Sequence, residues 1–521
     1  MPIKMKLSLF FVLCSLSLLM LGACHVKTPH ESVLANKFTK PNIVIFYVDD
    51  LGFGDLSAYG ATAVSTPNID NLAKNGLRFT DAHSTAATCT PSRYSLLTGE
   101  YAFRKGIRIL RGDAAMAIDP TQATLPKLLQ KNGYQTAVVG KWHLGLGDGK
   151  GQIDWNKAIT PGPLEIGFDY SFLIPSTGDR VPSVYLENRH VVNLDPSDPL
   201  YVNYTKKIGS RPTGYENPEL LRQGADMQHD KTIINGISRI GWMQGGKSAE
   251  WVDEDFHTIK TDKAKTFISD NADNPFFLYF SFHDIHVPRL PNKMFQGATD
   301  MGMRGDAIVQ VDWMTGQIVD HLKALGLLEN TLIIFSSDNG AVLTDGYDDD
   351  ALELVGSHKP NGPFRGGKYS AFEAGTRVPF IVHYPKKVKP GVSDALFGQI
   401  DLYASIATLL TSELASTEAI DSENHLATLF SANSEGRQTL IEETPFNLSL
   451  RDRHWKYIQA TNNRASFVKE NKNIEAGVAV FPQLYDLNSD IGELNNLAPM
   501  MPARIAEMES KLLAIKSKTS R

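Results

Sequence analysis

Short runs of apolar, β-branched and aromatic residues recur along the chain, and several end abruptly in charged or imidazole side chains. Residues 42–48 (Asn-Ile-Val-Ile-Phe-Tyr-Val) are apolar almost without a break and stop at Asp49-Asp50. Such a run predicts a strand buried on both faces. Residues 134–139 form a second run, ending at Gly140-Lys141-Trp142-His143. Residues 276–282 form a third, followed by His283-Asp284-Ile285-His286, and residues 331–335 a fourth, followed by Ser336-Ser337-Asp338-Asn339-Gly340. Helical patterns separate these runs, so the alternation predicts an α/β fold with a mostly parallel central sheet. From about residue 412 the pattern changes. Residues 438–441 and 455–459 read as antiparallel strands after a polar loop at 431–436. Residues 503–516 carry Ile505, Met508, Leu512 and Ile515 at helical spacing.

The amino terminus has its own pattern. Lys4 and Lys6 precede an apolar run over residues 7–23, broken only by Ser8, Ser15 and Ser17. A basic start, a short apolar core and small residues at its end describe a signal peptide, and the run falls short of the roughly 20 residues of a membrane span. Leu21-Gly22-Ala23-Cys24 resembles the lipobox of bacterial lipoproteins. That resemblance implies cleavage before Cys24, lipidation of its thiol and export to the periplasm or outer membrane. An ordinary cleaved signal with an incidental Cys24 is the plainer alternative. Residues 24–40, polar and aperiodic beyond Cys24, read as a tether.

Composition narrows the classes. Lys and Arg number 52 against 58 Asp and Glu, a net charge of −6, which is the wrong sign for a nucleic-acid binder. A hydrophobic fraction of 42% with 21% charged residues excludes a disordered chain, a fibre and a multi-span membrane protein. The only cysteines are Cys14, Cys24 and Cys89. With the first two in the processed amino terminus, Cys89 has no intramolecular disulfide partner.

Ligands of open α/β sheets bind outside the carboxyl ends of the strands, where four candidate strands here deliver polar groups together. Asp49, Asp50, Asp338 and Asn339 supply hard oxygen donors suited to Ca2+ or Mg2+. Lys141, His143 and His286 supply positive charge and proton-transfer capacity, suited to an anionic ester. Cys89 lies in Thr88-Cys89-Thr90-Pro91-Ser92-Arg93, followed by Leu97-Thr98-Gly99. Pro91 near a helix start and Gly99 near its end predict a short helix opening at Cys89. The helix dipole there favours an anion, so a thiolate nucleophile is the first reading.

These segments together resemble the type I sulfatases. Cys89-Thr90-Pro91-Ser92-Arg93 matches the Cys-x-Pro-x-Arg signature of that family, and Gly140-Lys141-Trp142-His143-Leu144-Gly145 its second signature. The segments around Asp49-Asp50 and Asp338-Asn339 match its metal motifs, and Arg365-Gly366-Gly367-Lys368 its lysine motif. The match covers about residues 40–401 and resumes at His454-Trp455-Lys456-Tyr457 and Leu484-Tyr485-Asp486-Leu487. It implies an alkaline phosphatase-like large domain over 41–411, with a smaller C-terminal subdomain over 412–521 that carries a short antiparallel sheet and a helix.

The resemblance further implies that a maturation enzyme oxidises Cys89 to formylglycine, whose hydrate is a geminal diol. One hydroxyl attacks sulfur and the alcohol leaves, giving a sulfated hemiacetal. The second hydroxyl then collapses to the aldehyde and ejects sulfate. By the same carry-over, Asp49, Asp50, Asp338 and Asn339, with the modified Cys89, hold one Ca2+. Arg93 holds the hydrate, Lys141 and Lys368 clamp the sulfate oxygens, His143 is the base at the diol, and His286 donates a proton to the leaving alcohol. Thr177 matches a family hydroxyl contact loosely.

Substrate choice falls to the loops. Residues 167–182 with Tyr185 and Asn188, the segment Gln228-His229-Asp230 and the stretch around Trp242 and Trp251 are candidates to reach a sugar. Asp179-Arg180 reads as a hydroxyl clamp or as a surface ion pair, and His229 as a hydroxyl contact or a packed loop histidine. This loop text resembles bacterial carbohydrate sulfatases, which suggests an exo-acting enzyme on galactose or N-acetylgalactosamine sulfates of glycans. Two rivals stand beside it: a phosphodiesterase or phosphonate hydrolase of the same superfamily, and a non-catalytic glycan-binding lipoprotein.

Overall fold

The computed structural model describes residues 40–521, so the expected signal peptide, Cys24 and the tether up to residue 39 lie outside the described residues. A ten-stranded sheet forms the centre. In chain order its strands are β1 (Asn42–Val48), β2 (Leu77–Phe79), β3 (Gln135–Lys141), β4 (Tyr170–Ile174), β5 (Leu186–Glu187), β6 (His190–Val191), β7 (Phe276–Ser281), β8 (Thr331–Ser337), β9 (Phe380–His383) and β10 (Gly391–Ser393). Their spatial order is β10-β2-β9-β8-β1-β7-β3-β4-β5-β6. The five middle strands, β8 to β4, run parallel, and antiparallel pairings extend the sheet on both sides.

The unbroken apolar runs follow from burial on both faces. Ile43, Ile45 and Tyr47 of β1 join a core completed by the helices Cys89–Thr98, Leu125–Lys131 and Leu402–Leu409. Val44, Phe46 and Val48 point the other way, into a core completed by Pro67–Lys74, Phe256–Asp270 and Gly302–Ala324. Register then levels the carboxyl ends: Tyr47 lies opposite Ser281, Val48 opposite Ser337, and Ser281 opposite Gly140. Two strands run further than their apolar runs. The second ends at Lys141, which pairs with Ile174, and the fourth at Ser337. Ladder partners are available there whatever the side chain.

The C-terminal sheet has four antiparallel strands: β11 (Thr439–Glu443), β12 (Leu448–Asp452), β13 (Trp455–Ile458) and β14 (Gln483–Asp486). Strands β12 and β14 escaped the pattern reading of the chain. In β12 the polar Arg451 faces inward and is 2% exposed. The closing helix, Pro502–Ser517, buries Met508 and Leu512 against Ile441 and Leu450, in a cluster that also holds Tyr101 and Ile400 of the larger part. Residues 40–521 form one compact unit.

A buried ionic network joins the C-terminal sheet to the larger part. Arg451 reaches Glu373 at 2.5 Å and Asp81 at 3.0 Å, while Lys456 pairs with Glu373 and Glu442. His83 Nδ1 lies 2.9 Å from Glu442. Removing one partner from such a buried set leaves an uncompensated charge, costing about 3–5 kcal/mol. Glu493 sits among these groups, its Oε2 accepting from the Glu373 amide at 2.7 Å. Burial, with Glu373 and Glu442 beside it and Lys456 opposing, pushes its carboxyl up to about 8. The unfolded chain releases that proton near pH ~4.3, so this group stabilises the fold at low pH and the contribution fades as pH rises towards 8. Glu493→Gln should therefore flatten the loss of stability between pH 5 and 8, read as urea midpoints. Parallel pH profiles for the variant and wild type would contradict this.

Candidate active site

The helix Cys89–Thr98 begins as expected. Thr88 is extended, Pro91 falls in the first turn, and Gly99 closes the helix at φ 66°. Cys89 is 2% exposed, with its Sγ 3.2 Å from His143 Nδ1. The other ring nitrogen, Nε2, lies 2.9 Å from the Leu110 carbonyl, which can only accept, so Nε2 carries the proton and Nδ1 faces sulfur with a free lone pair. Burial first, then the charges of Lys141 and Arg180, hold His143 well below the usual imidazole range. It is a neutral base beside residue 89. Burial also pushes the Cys89 thiol up, outweighing Lys141 and Lys368. The helix dipole therefore does not make a thiolate here.

Asp49, Asp50, Asp338 and Asn339 converge at the ends of β1 and β8 and are buried to 1% exposure or less. Arg93, from the second turn of the Cys89 helix, binds Asp338 Oδ2 through Nε at 3.0 Å and Nη2 at 2.7 Å. Lys141 pairs with Asp49 and Lys368 with Asp50, the latter at 2.9 Å. Asn339 Nδ2 donates to Asp50 Oδ1 at 2.7 Å. Burial opposes charge on all three acids; Arg93 outweighs it at Asp338, but Asp49 and Asp50 remain pushed upward, with Asp338 adding repulsion. Asp49 Oδ1 and Asn339 Oδ1 are buried without a hydrogen-bond partner. Ligand atoms of Asp49, Cys89 and Asp338 lie within 4.8 Å of one another, as do those of Asp49, Asp50 and His286. Orphaned hard oxygens, and two acids pushed upward despite their paired cations, fit a divalent cation.

Asp50 (φ 62°), His143 (φ 52°) and Tyr369 (φ 72°) hold left-handed backbone conformations. Each costs roughly 1–2 kcal/mol for a residue with a Cβ. Strain of this kind collects where side chains must be aimed.

Over this floor opens a cavity of about 490 Å3, lined by Cys89, His143, His286 and Lys368 and, on its walls, by Asp179, Arg180 and His229. Arg180 Nη1 donates to both Asp179 oxygens, at 2.7 and 3.0 Å, and both residues face the cavity, so they are not a surface ion pair. His229 spans Asp226 (2.6 Å) and Asp179 (3.5 Å). Thr177 is fully buried and touches the cavity only through His286, its Oγ1 3.4 Å from Nδ1. Gln228 lines the wall, while Tyr185, Asn188, Trp242 and Trp251 do not. Tyr185 and Trp251 pack into an aromatic cluster with Phe172 and Phe256, and Asn188 Oδ1 accepts from the Ser171 amide. Aromatic character marked them, but core packing uses it. Pattern reading missed Arg111, Tyr204, Asp226, Asp345, Tyr369 and Lys472.

The raised thiol has a direct consequence. In unprocessed protein, Cys89 should react with iodoacetamide at pH 7.5 at least about tenfold more slowly than in urea-unfolded chain, because the thiolate is the reactive form. An equal or faster rate in the folded protein would show a thiolate instead.

Comparison with known proteins agrees with this geometry. Residues 41–412 match the Sulfatase family model. An N-acetylgalactosamine-6-O-sulfatase from Bacteroides thetaiotaomicron is 49% identical over 96% of this chain and 97% of its own length. The human N-acetylgalactosamine-6-sulfatase is 33% identical over 75% of this chain and 66% of its own. A solved sulfatase structure from work on the metabolism of multiple glycosaminoglycans by Bacteroides thetaiotaomicron superposes with a TM-score of 0.90 at 50% identity, covering 92% of this chain and 100% of that one. The chain belongs to the sulfatase family and is a hydrolase of sulfate esters.

Proposed function

We propose that this enzyme removes 6-O-sulfate from terminal N-acetylgalactosamine or galactose residues of glycans, acting from the chain end. The observation that carries the reading is the single cavity that has Cys89, His143, His286 and Lys368 at its floor and Asp179, Arg180 and His229 on its wall. A pocket of about 490 Å3 suits one sugar ring, and paired polar groups suit its hydroxyls. The 49% identical relative is named for N-acetylgalactosamine 6-sulfate, which supports the same sugar class here and favours sulfate over phosphonate chemistry.

The residues divide the work. Cys89, matured to formylglycine by a dedicated enzyme, supplies a geminal diol, a nucleophile able to release its sulfate by returning to the aldehyde. Asp49, Asp50, Asp338 and Asn339 would hold Ca2+, which supplies positive charge against sulfate and diol oxygens. Arg93 steadies the residue 89 side chain and neutralises charge growing on it. Lys141 and Lys368 spread the charge of the sulfate oxygens in the transition state. His143, with Nδ1 free and aimed at residue 89, takes the diol proton. His286 gives a proton to the leaving sugar oxygen. In the free protein burial first, then Lys368 and Lys141, keep His286 neutral, and its Nδ1 lies 2.6 Å from the Val287 carbonyl. Bound sulfate, by its negative charge, would restore the basicity of Nε2, which lies 3.9 Å from Asp50.

We also infer that residues 1–23 are cleaved and that Cys24 carries a lipid anchor, placing the enzyme outside the cytoplasm. No helix among the described residues is long and apolar enough to cross a membrane.

Mass spectrometry of host-made protein tests both maturations. The tryptic peptide 79–93 should be lighter by the change from thiol to aldehyde and should react with a hydrazide. The amino-terminal peptide should begin at an acylated Cys24. Such protein should desulfate 6-sulfated N-acetylgalactosamine, and Cys89→Ala should lose at least about a thousandfold in kcat. An unmodified Cys89 in active enzyme would sink the nucleophile assignment, an unmodified Cys24 the anchor, and turnover of aryl or phosphonate esters alone the sugar reading.

A further inference from the structure

Lys472 stands far from the strand ends in sequence, yet it lines the same cavity as Cys89 and is only 6% exposed. It closes the short helix Ser466–Lys472, which ends at Asn473 in a left-handed conformation (φ 54°). Val468 fixes that helix by packing, fully buried, with Val342, Tyr369, Ile474 and Ala476. The Ala371 amide donates to the Ala476 carbonyl at 3.0 Å, tying this segment to the loop just after Lys368. One apolar cluster thus sets the positions of both lysines.

A carboxylate joins them. Asp345 Oδ2 lies 2.9 Å from Lys368 Nζ, and Asp345 Oδ1 lies 2.8 Å from Lys472 Nζ. The Tyr369 hydroxyl donates to the same carboxylate at 3.2–3.3 Å. Both Asp345 oxygens are therefore engaged, and Asp345 itself lines the cavity at 5% exposure. Burial alone would raise this carboxyl, but the two ammonium groups hold it well below the usual range. An ammonium has three donors. The pairing with Asp345 is the only ion pair of Lys472 among the described residues, which leaves it donors for a ligand in the cavity.

We propose that Lys472 is a substrate-recognition residue that donates to an oxygen of the sugar beyond the reacting sulfate, and that Asp345 is the positioning residue that fixes Lys472 and Lys368 relative to each other. The two lysines then divide one substrate, Lys368 facing its sulfate and Lys472 its carbohydrate. This rests on the sugar-sulfate reading above.

The test compares matured wild type with Lys472→Met and Lys472→Arg on 6-sulfated N-acetylgalactosamine, and measures inorganic sulfate binding by thermal shift. Losing a hydrogen bond from a charged donor should raise KM for Lys472→Met about tenfold or more, leave kcat within about threefold, and leave sulfate affinity unchanged. Lys472→Arg should recover part of the KM loss. Asp345→Asn should lower kcat as well as raise KM, because it also holds Lys368. A wild-type KM in Lys472→Met would overturn the proposal. So would a joint loss of kcat, KM and sulfate binding, which would mark Lys472 as merely structural. Wild-type enzyme inert towards every sulfated sugar would remove the functional reading itself, and this assignment with it.

Discussion

Three carboxylates, Asp49, Asp50 and Asp338, are brought together out of water at the ends of two adjacent parallel strands, and most of the surrounding architecture answers that one constraint. Packed like charges in a dry interior repel strongly and cannot all stay ionised without compensation. Arg93 meets Asp338, Lys141 meets Asp49 and Lys368 meets Asp50. Those cations come from three different elements: the helix Cys89–Thr98, the last residue of β3 and the loop after β8. Of these residues Lys368 lines the cavity, beside Cys89, His143 and His286. On the proposed reading, electrostatic compensation of the acids and presentation of positive charge to a sulfate are two aspects of one arrangement. The left-handed backbones of Asp50 and His143 are tolerated because a sheet buried on both faces fixes the strands before them, and that of Tyr369 because its side chain packs with Val342, Val468 and Ile474.

The smaller C-terminal part acts at a distance and at close range. Its strands β11, β12 and β13 lock onto His83, Asp81 and Glu373 of the larger part through Glu442, Arg451 and Lys456, while its middle segment closes the cavity wall with Asn471 and Lys472. A pocket built by the large sheet alone would be open on that side. On the proposed reading, sulfate chemistry belongs to the strand ends, and recognition of what carries the sulfate draws on segments from both parts.

Much of this was legible in the chain. The four central strands announced themselves because burial on both faces demands continuous apolar runs, and Asp49, Lys141, His286 and Asp338 were conspicuous as the charges that stopped them. The helix at Cys89 was marked by Pro91 and Gly99. Arg451, Asp345 and Lys472 were not legible, since nothing local distinguishes a buried, paired charge from a solvated one; the partner lies up to hundreds of residues away. The aromatic residues Tyr185 and Trp251 misled for a related reason. An aromatic ring serves a sugar platform or a core equally well, and only the fold decides.

The central claim is that the acidic nest at the strand ends is a cation site. Its most direct test is the thermal unfolding of chelator-stripped protein titrated with calcium, with bound metal counted by elemental analysis. The account predicts one calcium per chain and a midpoint that climbs with concentration, by about 2.7 kcal/mol of stability at a hundredfold excess over the dissociation constant. Asp49→Asn should abolish that response, because it removes a charged oxygen from the nest. A midpoint indifferent to calcium, with no metal bound to active enzyme, would contradict it.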